Sequence, residues 1–155
     1  MTGRAEIERQ KQRLDATFKR AGSLGADPEL LSDFARYLCV LVSGFLEQAA
    51  VEIALEHVRT HSDPSVLRHM ERRIRNSTNM NTERIVQLFG SFDADWQKDL
   101  ESAIVDEYKA AVDSVVALRH QIAHGANGGI TMVRIREYYD RVKYVVEYVT
   151  DLCLP

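Results

Sequence analysis

The segment LCVLVSGFLEQAAVEIAL, residues Leu38–Leu55, determines the fold class of this protein. Its apolar side chains cover nearly the whole circumference of a helix, and the strongly polar Glu47, Gln48 and Glu52 interrupt them. A helix that is hydrophobic all round belongs at the centre of a bundle. The three polar residues make the segment a poor membrane span, since a spanning helix needs about 20 predominantly apolar residues. We therefore predict a central bundle helix and no membrane association.

Helix-boundary signals divide the rest of the chain. Asp27-Pro28 and Asp63-Pro64 each place an N-cap residue before a proline at the first helical position. Gly22–Gly25 and Gly125–Gly129 mark helix ends. The predicted helices are Arg4–Ala21, Asp27 to about Thr60, Asp63 to about Asn76, Thr82 to about Phe89, a long helix through Glu101 to His124, and Ile130 to about Leu152. No alternating strand pattern of useful length occurs, so the prediction is an all-α antiparallel helical bundle with short inserted helices.

Length and composition indicate one folded domain. The chain has 155 residues, of which 45% are hydrophobic and 28% charged, and these values are typical of a globular protein. We predict a single domain over 1–155, with a leading charged helix in 1–25 and a core bundle in 27–152. The charged N-terminus does not resemble a signal peptide, and the two cysteines have neither a zinc-type nor a disulfide-type spacing. We expect a cytoplasmic protein with no metal and no cofactor.

Arginine dominates the positive charge, although the net charge is -3. Its planar guanidinium suits bidentate contact with phosphate. One cluster contains Arg68, His69, Arg72, Arg73 and Arg75, with Arg84 nearby. Two interpretations of this cluster stay open. It is the best candidate for an RNA-binding track, or it is a solvated face that pairs with acidic residues of another helix.

An arginine interrupts the apolar seam of the predicted helix Glu101–His124. Arg119 occupies a seam position where a heptad pattern favours an apolar residue, and a guanidinium there needs a partner, water or an anion. His120 and His124 share a flanking face, whereas Arg119 and His124 lie about 140° apart on a regular helix. They can act together only if the helix end distorts at Gly125 or a second copy supplies the other group. The other seam residues are Tyr108, Val112, Val115 and Ile122.

His124 is the candidate for proton transfer. It lies in the last turn of the predicted helix, where the negative end of the helix dipole favours the imidazolium form. A histidine that changes charge near neutral pH, close to a fixed cation such as Arg119, suits proton transfer at a phosphodiester.

The segment LRHQIAHG, residues Leu118–Gly125, resembles the R-x4-H signature of the HEPN superfamily, particularly its RiboL-PSP-like branch. Two other segments agree with this resemblance. Ser43–Glu47 is similar to an earlier helix motif of that branch, and the insert Asn81–Leu100 also resembles its counterpart. The resemblance covers about Leu30–Leu152, so the first thirty residues lie outside it or form a variable leading helix.

The resemblance implies a homodimeric, metal-independent endoribonuclease with RNA as its substrate. Arg119 and His124 are then the catalytic pair, supported by His120 and Glu47. The ribose 2′-hydroxyl attacks the adjacent phosphate and leaves a 2′,3′-cyclic phosphate and a free 5′-hydroxyl. His124 acts as general base or acid, and Arg119 neutralises the phosphorane. The resemblance also implies a role in bacterial defence or as a toxin, with an antitoxin or a neighbouring defence protein as a further partner.

The sequence leaves three alternatives open. Arg119 could form a structural salt bridge with Glu47 or Asp113, while His124 only caps its helix. Glu47 either orients Arg119 or His120 from the neighbouring helix or lies on an ordinary surface edge. The alternative function is a non-catalytic HEPN dimerisation module, or one that binds RNA or a protein without cleaving.

Overall fold

Seven helices form the computed structural model, which describes residues 2–126 and 129–155, and no strand occurs in those ranges. The prediction of an all-α bundle is confirmed. Asn127 and Gly128, which belong to the predicted helix end Gly125–Gly129, lie outside the described residues. The helices are α1 (Gly3–Ala21), α2 (Pro28–His61), α3 (Pro64–Arg75), α4 (Thr82–Gly90), α5 (Ala94–Ala103), α6 (Asp106–Ala123) and α7 (Met132–Cys153).

Helix α2 is the central element, as its sequence predicts. It has 34 residues and packs against α1, α3, α6 and α7. Leu38, Val42 and Ile53 are at most 1% exposed. By length and composition it is the one helix among the described residues that could cross a membrane. However, 67% of its most apolar 18-residue window is buried inside the bundle, as in the core helix of a soluble protein.

Helix α1 forms one wall of the bundle and runs antiparallel to α7. The Phe18 ring stacks on the Tyr139 ring with centroids 4.5 Å apart, and the Tyr139 hydroxyl donates to Asp15 Oδ1 at 2.6 Å. Near the other end of both helices, Arg4 pairs with Asp151 at 3.0 Å. Burial, reinforced by Asp15, raises the pKa of Tyr139 far above its ordinary value, so this hydroxyl remains a donor. The leading helix is therefore part of the core.

The predicted long helix through Glu101 to His124 is wrong, because the chain turns between α5 and α6. Ile104 leaves the helical region with φ −94° and ψ 77°, and Asp106 has a positive φ of 52°. Neither glycine nor proline marks this break. Ile104 is only 2% exposed, so the burial of its side chain compensates for the interrupted helical hydrogen bonds. Tertiary packing here overrides a helix-compatible sequence.

Candidate functional site

Helix α6 ends at Ala123, and His124 is its C-cap residue, with φ −92° and ψ 12°. The His120 and His124 rings lie 4.4 Å apart at their centroids, as expected for residues four apart on one face. Gly125 follows with a φ of +75°, the left-handed conformation that glycine adopts readily, and it closes the helix in a Schellman motif. The capping hydrogen bonds run from His124 N to His120 O (3.1 Å), from Gly125 N to Ile122 O (3.1 Å) and from Ala126 N to Gln121 O (2.9 Å).

This geometry decides one question that the sequence leaves open. The helix end does not distort in a way that swings His124 towards Arg119. The two side chains therefore keep an angular separation of about 140° around α6. His120 and His124 are exposed, whereas Arg119 is half-buried on another side of the helix. Arg119 lines a cleft whose lining residues include neither His120 nor His124.

Arg119 lines a cleft of about 630 Å³ between α1, α2 and the end of α6. Glu47 of α2 lines the same cleft, so the structure brings together two of the four predicted site residues. The seam residues Val112 and Val115, on the preceding turns of α6, are fully buried. Arg119 thus replaces an apolar side chain at the point where the seam of α6 emerges from the core into the cleft.

The guanidinium of Arg119 has no protein partner among the described residues. No ion pair or side-chain hydrogen bond in that part of the chain joins it to Glu47 or Asp113. Asp113 Oδ1 instead accepts the backbone N–H of Thr82 at 2.8 Å, at the start of α4. The alternative of a structural salt bridge is therefore not realised. A half-buried cation without a partner is left to water or to an anion that enters the cleft.

The floor of the cleft is the uncovered half of a heptad seam on α2. The seam comprises Tyr37, Leu41, Gly44, Gln48, Val51, Leu55 and Val58, spaced alternately by four and three residues. In the C-terminal half of α2, where α3 packs, Val51, Leu55 and Val58 are at most 5% exposed. In the N-terminal half Tyr37 is 50% exposed and the adjacent Val40 37% exposed. We call this stretch, Tyr37–Gln48, the open half-seam.

The predicted basic cluster on α3 divides into two parts. Arg75 pairs with Glu71 at 3.0 Å and approaches Glu52 of α2 at 3.8 Å, which fits the alternative of pairing with another helix. The side chains of Arg68, Arg72 and Arg73 are exposed and form no ion pair in the described part of the chain. The cluster lies beyond the cleft, on the helix that covers the other half of the seam.

Sequence reasoning missed a second guanidinium in the cleft. Arg13 of α1 lines it together with Gln10 and Thr17. These residues follow each other at intervals of three and four, along the edge of the buried face that carries Leu14 and Phe18. The spacing of Gln10, Arg13 and Thr17 is visible in the sequence, but α1 lies before Leu30, where the resemblance to the HEPN superfamily begins.

Another histidine lies in an aromatic cluster away from the cleft. The His57 ring is 4.3 Å from His61, 5.2 Å from Phe92 and 4.8 Å from Trp96, measured between ring centroids. Burial, helped by His61, lowers the pKa of His57, while Asp93 opposes this shift. Its buried Nδ1 has no hydrogen-bond partner among the described residues. Within 2–126 and 129–155, no group of three His, Cys, Asp or Glu side chains could hold a metal ion.

Comparison with known proteins gives one family. A family model described as RiboL-PSP-HEPN matches residues 4–154. The match includes nearly all of α1, which extends the family domain beyond the Leu30–Leu152 segment indicated by the resemblance. No curated protein and no solved structure matches the chain.

Proposed function

The chain belongs to the RiboL-PSP-HEPN family, and from this premise we propose that it is a metal-independent endoribonuclease that acts as a homodimer. HEPN domains often act as ribonucleases, but the family alone does not make every member catalytic. The observation that carries the proposal is the guanidinium of Arg119, half-buried in an open cleft without a protein partner. We further propose a cytoplasmic setting in bacterial defence or as a toxin, with an antitoxin or a neighbouring defence protein as a second partner.

The separation of Arg119 and His124 supports the homodimer. Because the two side chains lie about 140° apart on a regular helix, one protomer does not present both to the same phosphate. A two-fold dimer brings the two groups together if Arg119 of one protomer lies next to His124 of its partner, and the symmetry then creates two equivalent sites.

The open half-seam is the proposed dimer interface. Its continuation on α2 is already covered by a helix of the same chain, α3, so the exposed half has the heptad pattern of a surface that packs against helices. Tyr37 and Val40 are large apolar side chains that a partner would remove from water. A second copy carries the same half-seam, and an isologous interface pairs like with like. Arg119 at the edge of the half-seam would then lie at the boundary between protomers.

The chemistry follows from the residues brought to that boundary. A 2′-hydroxyl oxygen forms a bond with the adjacent phosphorus, and the bond to the 5′-oxygen breaks. His124 takes the proton of the attacking 2′-hydroxyl or gives one to the leaving 5′-oxygen. The other of these two proton transfers falls to His120, whose ring centroid is 4.4 Å from that of His124, or to water. Arg119 stabilises the negative charge of the phosphorane, and Glu47, which lines the same cleft without an ion pair to Arg119, is a supporting residue. The products are a 2′,3′-cyclic phosphate and a free 5′-hydroxyl.

The test uses purified protein, a single-stranded RNA and EDTA. We expect cleavage that resists EDTA and leaves cyclic-phosphate ends. Arg119→Ala and His124→Ala should each lower the rate by about 100-fold or more. Arg9→Ala is the matched control, because Arg9 is exposed and pairs with Glu6 on α1. RNA binding without cleavage by the wild-type protein would instead identify a non-catalytic HEPN module.

A further inference from the structure

The exposed face of α3 carries a cluster of arginines that form no ion pair among the described residues. Arg68, His69, Arg72 and Arg73 line a shallow depression of about 370 Å³, and we call this group the α3 basic face. It is well separated from the buried face of the same helix. The residues that pack towards the core are Leu67, Met70 and Ile74.

The local acidic residues do not neutralise this face. Glu71 is the only acidic residue within α3, and it is engaged by Arg75. Elsewhere in the chain, arginines commonly pair with an acid three residues away, as in Arg9–Glu6, Arg36–Asp33, Arg59–Glu56 and Arg134–Glu137. The α3 basic face thus keeps three uncompensated guanidinium groups in a chain whose net charge is -3.

The α3 basic face lies beyond the cleft along the same central helix. Arg75 approaches Glu52, eight residues after Gly44 of the cleft floor, which corresponds to about 12 Å along α2. Arg68 lies seven residues before Arg75 on α3, which adds about 10 Å. The α3 basic face therefore extends from about 15 Å at Arg73 to about 22 Å at Arg68 beyond the centre of the cleft floor, on the helix that covers the continuation of the seam.

We infer that the α3 basic face binds the phosphate backbone of single-stranded RNA outside the cleavage point. This inference rests on the proposed function for the choice of RNA. Guanidinium groups contact phosphate oxygens bidentately, and Arg68 and Arg72 are four residues apart, so both point to the same side of α3. Backbone contacts of this kind position a strand without selecting its sequence. The site therefore adds affinity and register without selecting the base sequence.

The experiment measures binding without chemistry. A fluorescent 20-nucleotide single-stranded RNA with a 2′-O-methyl group at every sugar lacks the attacking hydroxyl, so it reports binding alone. Its Kd is measured between 50 and 200 mM KCl for the wild-type protein and for the variant with Arg68→Gln, Arg72→Gln and Arg73→Gln. The matched control removes three exposed lysines from other helices, as Lys19→Gln, Lys98→Gln and Lys109→Gln.

We expect the three arginines to account for a salt-dependence slope of about 2, since each phosphate contact to a single strand contributes about 0.7. The ratio of the Kd of the arginine variant to the Kd of the wild-type protein should then fall by about 20-fold between 50 and 200 mM KCl. The lysine variant should keep nearly the wild-type slope. Circular dichroism and Tm of both variants should match the wild type, because the replaced side chains are exposed.

Two results would overturn the inference. One is an arginine variant that binds the 2′-O-methyl RNA with the wild-type Kd and slope, and the other is an equal loss in the lysine control. These results are distinguishable from failure of the proposed function. Wild-type protein that binds through the α3 basic face but leaves unmodified RNA intact supports this inference and contradicts the endoribonuclease. Cleavage of unmodified RNA with unchanged binding by the arginine variant contradicts this inference alone.

Discussion

A mixture of two inactive variants should regain activity if the site is shared between protomers. Arg119→Ala and His124→Ala each remove one group from both sites of their own homodimer. In a mixed dimer, one site lacks both groups, whereas the other contains the intact Arg119 of one protomer and the intact His124 of its partner. The regular end of α6 is the structural basis for this expectation, because it keeps the two side chains about 140° apart within a chain.

The size of the recovery follows from the two-fold symmetry. Random reassortment at equal concentrations makes half of the dimers mixed, and each has one intact site out of two, so the mixture should reach about a quarter of the wild-type activity per protomer. The assay is cleavage of a fluorescent single-stranded RNA in EDTA. Two different affinity tags show that the subunits have exchanged. The control mixes Arg119→Ala with the double variant, which lacks both groups and should restore nothing.

Absence of recovery in a mixture whose tags co-purify would refute the shared site. If both groups acted within one protomer, every site in the mixed dimer would lack either the guanidinium or the imidazole. The mixture would then stay as inactive as its components. That result would mean that the end of α6 rearranges when RNA binds, in a way that the Schellman motif at Gly125 does not indicate.

The remaining predictions test the interface, the cleft and the fold. Val40→Asp should convert the dimer to monomers in analytical ultracentrifugation, because it places a carboxylate in the open half-seam. The control is Val133→Asp, at a position on α7 that is 69% exposed. Arg13→Ala should lower the cleavage rate by about 10-fold at unchanged Tm, because it removes one of two guanidinium groups lining the cleft. An unchanged rate would show that the Arg13 side chain does not contact the RNA. Gly125→Ala should lower the free energy of unfolding by about 1 kcal/mol in urea titrations, since no atom opposes a Cβ there and the cost lies in the positive φ alone. Because the folded pKa of His57 is below its ordinary value of 6.5, the unfolded state binds the proton more readily, and stability should fall as the pH drops through that value. The fall in Tm between pH 7.5 and 5.5 should be smaller in His57→Phe, and an equal fall would contradict this linkage.

Local signals in the sequence were sufficient where a few neighbouring residues control the backbone. Asp27 caps α2 through its side chain, with the Glu29 N–H donating to Asp27 Oδ1 at 3.0 Å. Gly125 ends α6 because glycine adopts a positive φ at little cost. The apolar circumference of Leu38–Leu55 predicted the central position of α2. These features depend on interactions within about one helical turn, so sequence spacing predicts them directly.

Sequence spacing predicted only part of the candidate site. Sequence identified Arg119 as an anomaly in an apolar seam and showed that His124 points away from it on a helix. It left open whether the helix end distorts and whether Glu47 or Asp113 neutralises the guanidinium. The structure answers the first question through the local hydrogen bonds that cap α6 at Gly125. It answers the second through long-range contacts, in particular the hydrogen bond from Thr82 N to Asp113 Oδ1. Such contacts join residues far apart in the chain, and their geometry depends on how whole helices pack.

Periodicity and capping are local properties of the chain, and they were enough to predict the helical class, the ends of most helices and the anomaly at Arg119. Tertiary packing was needed to place the turn at Ile104, where burial of one side chain outweighs an uninterrupted helix. It also decided that α3 covers one half of the α2 seam and leaves the other half open, and that Arg13 of α1 lies in the same cleft as Arg119. These outcomes depend on which helix faces are adjacent, and that depends on the burial of apolar surface summed over the whole bundle.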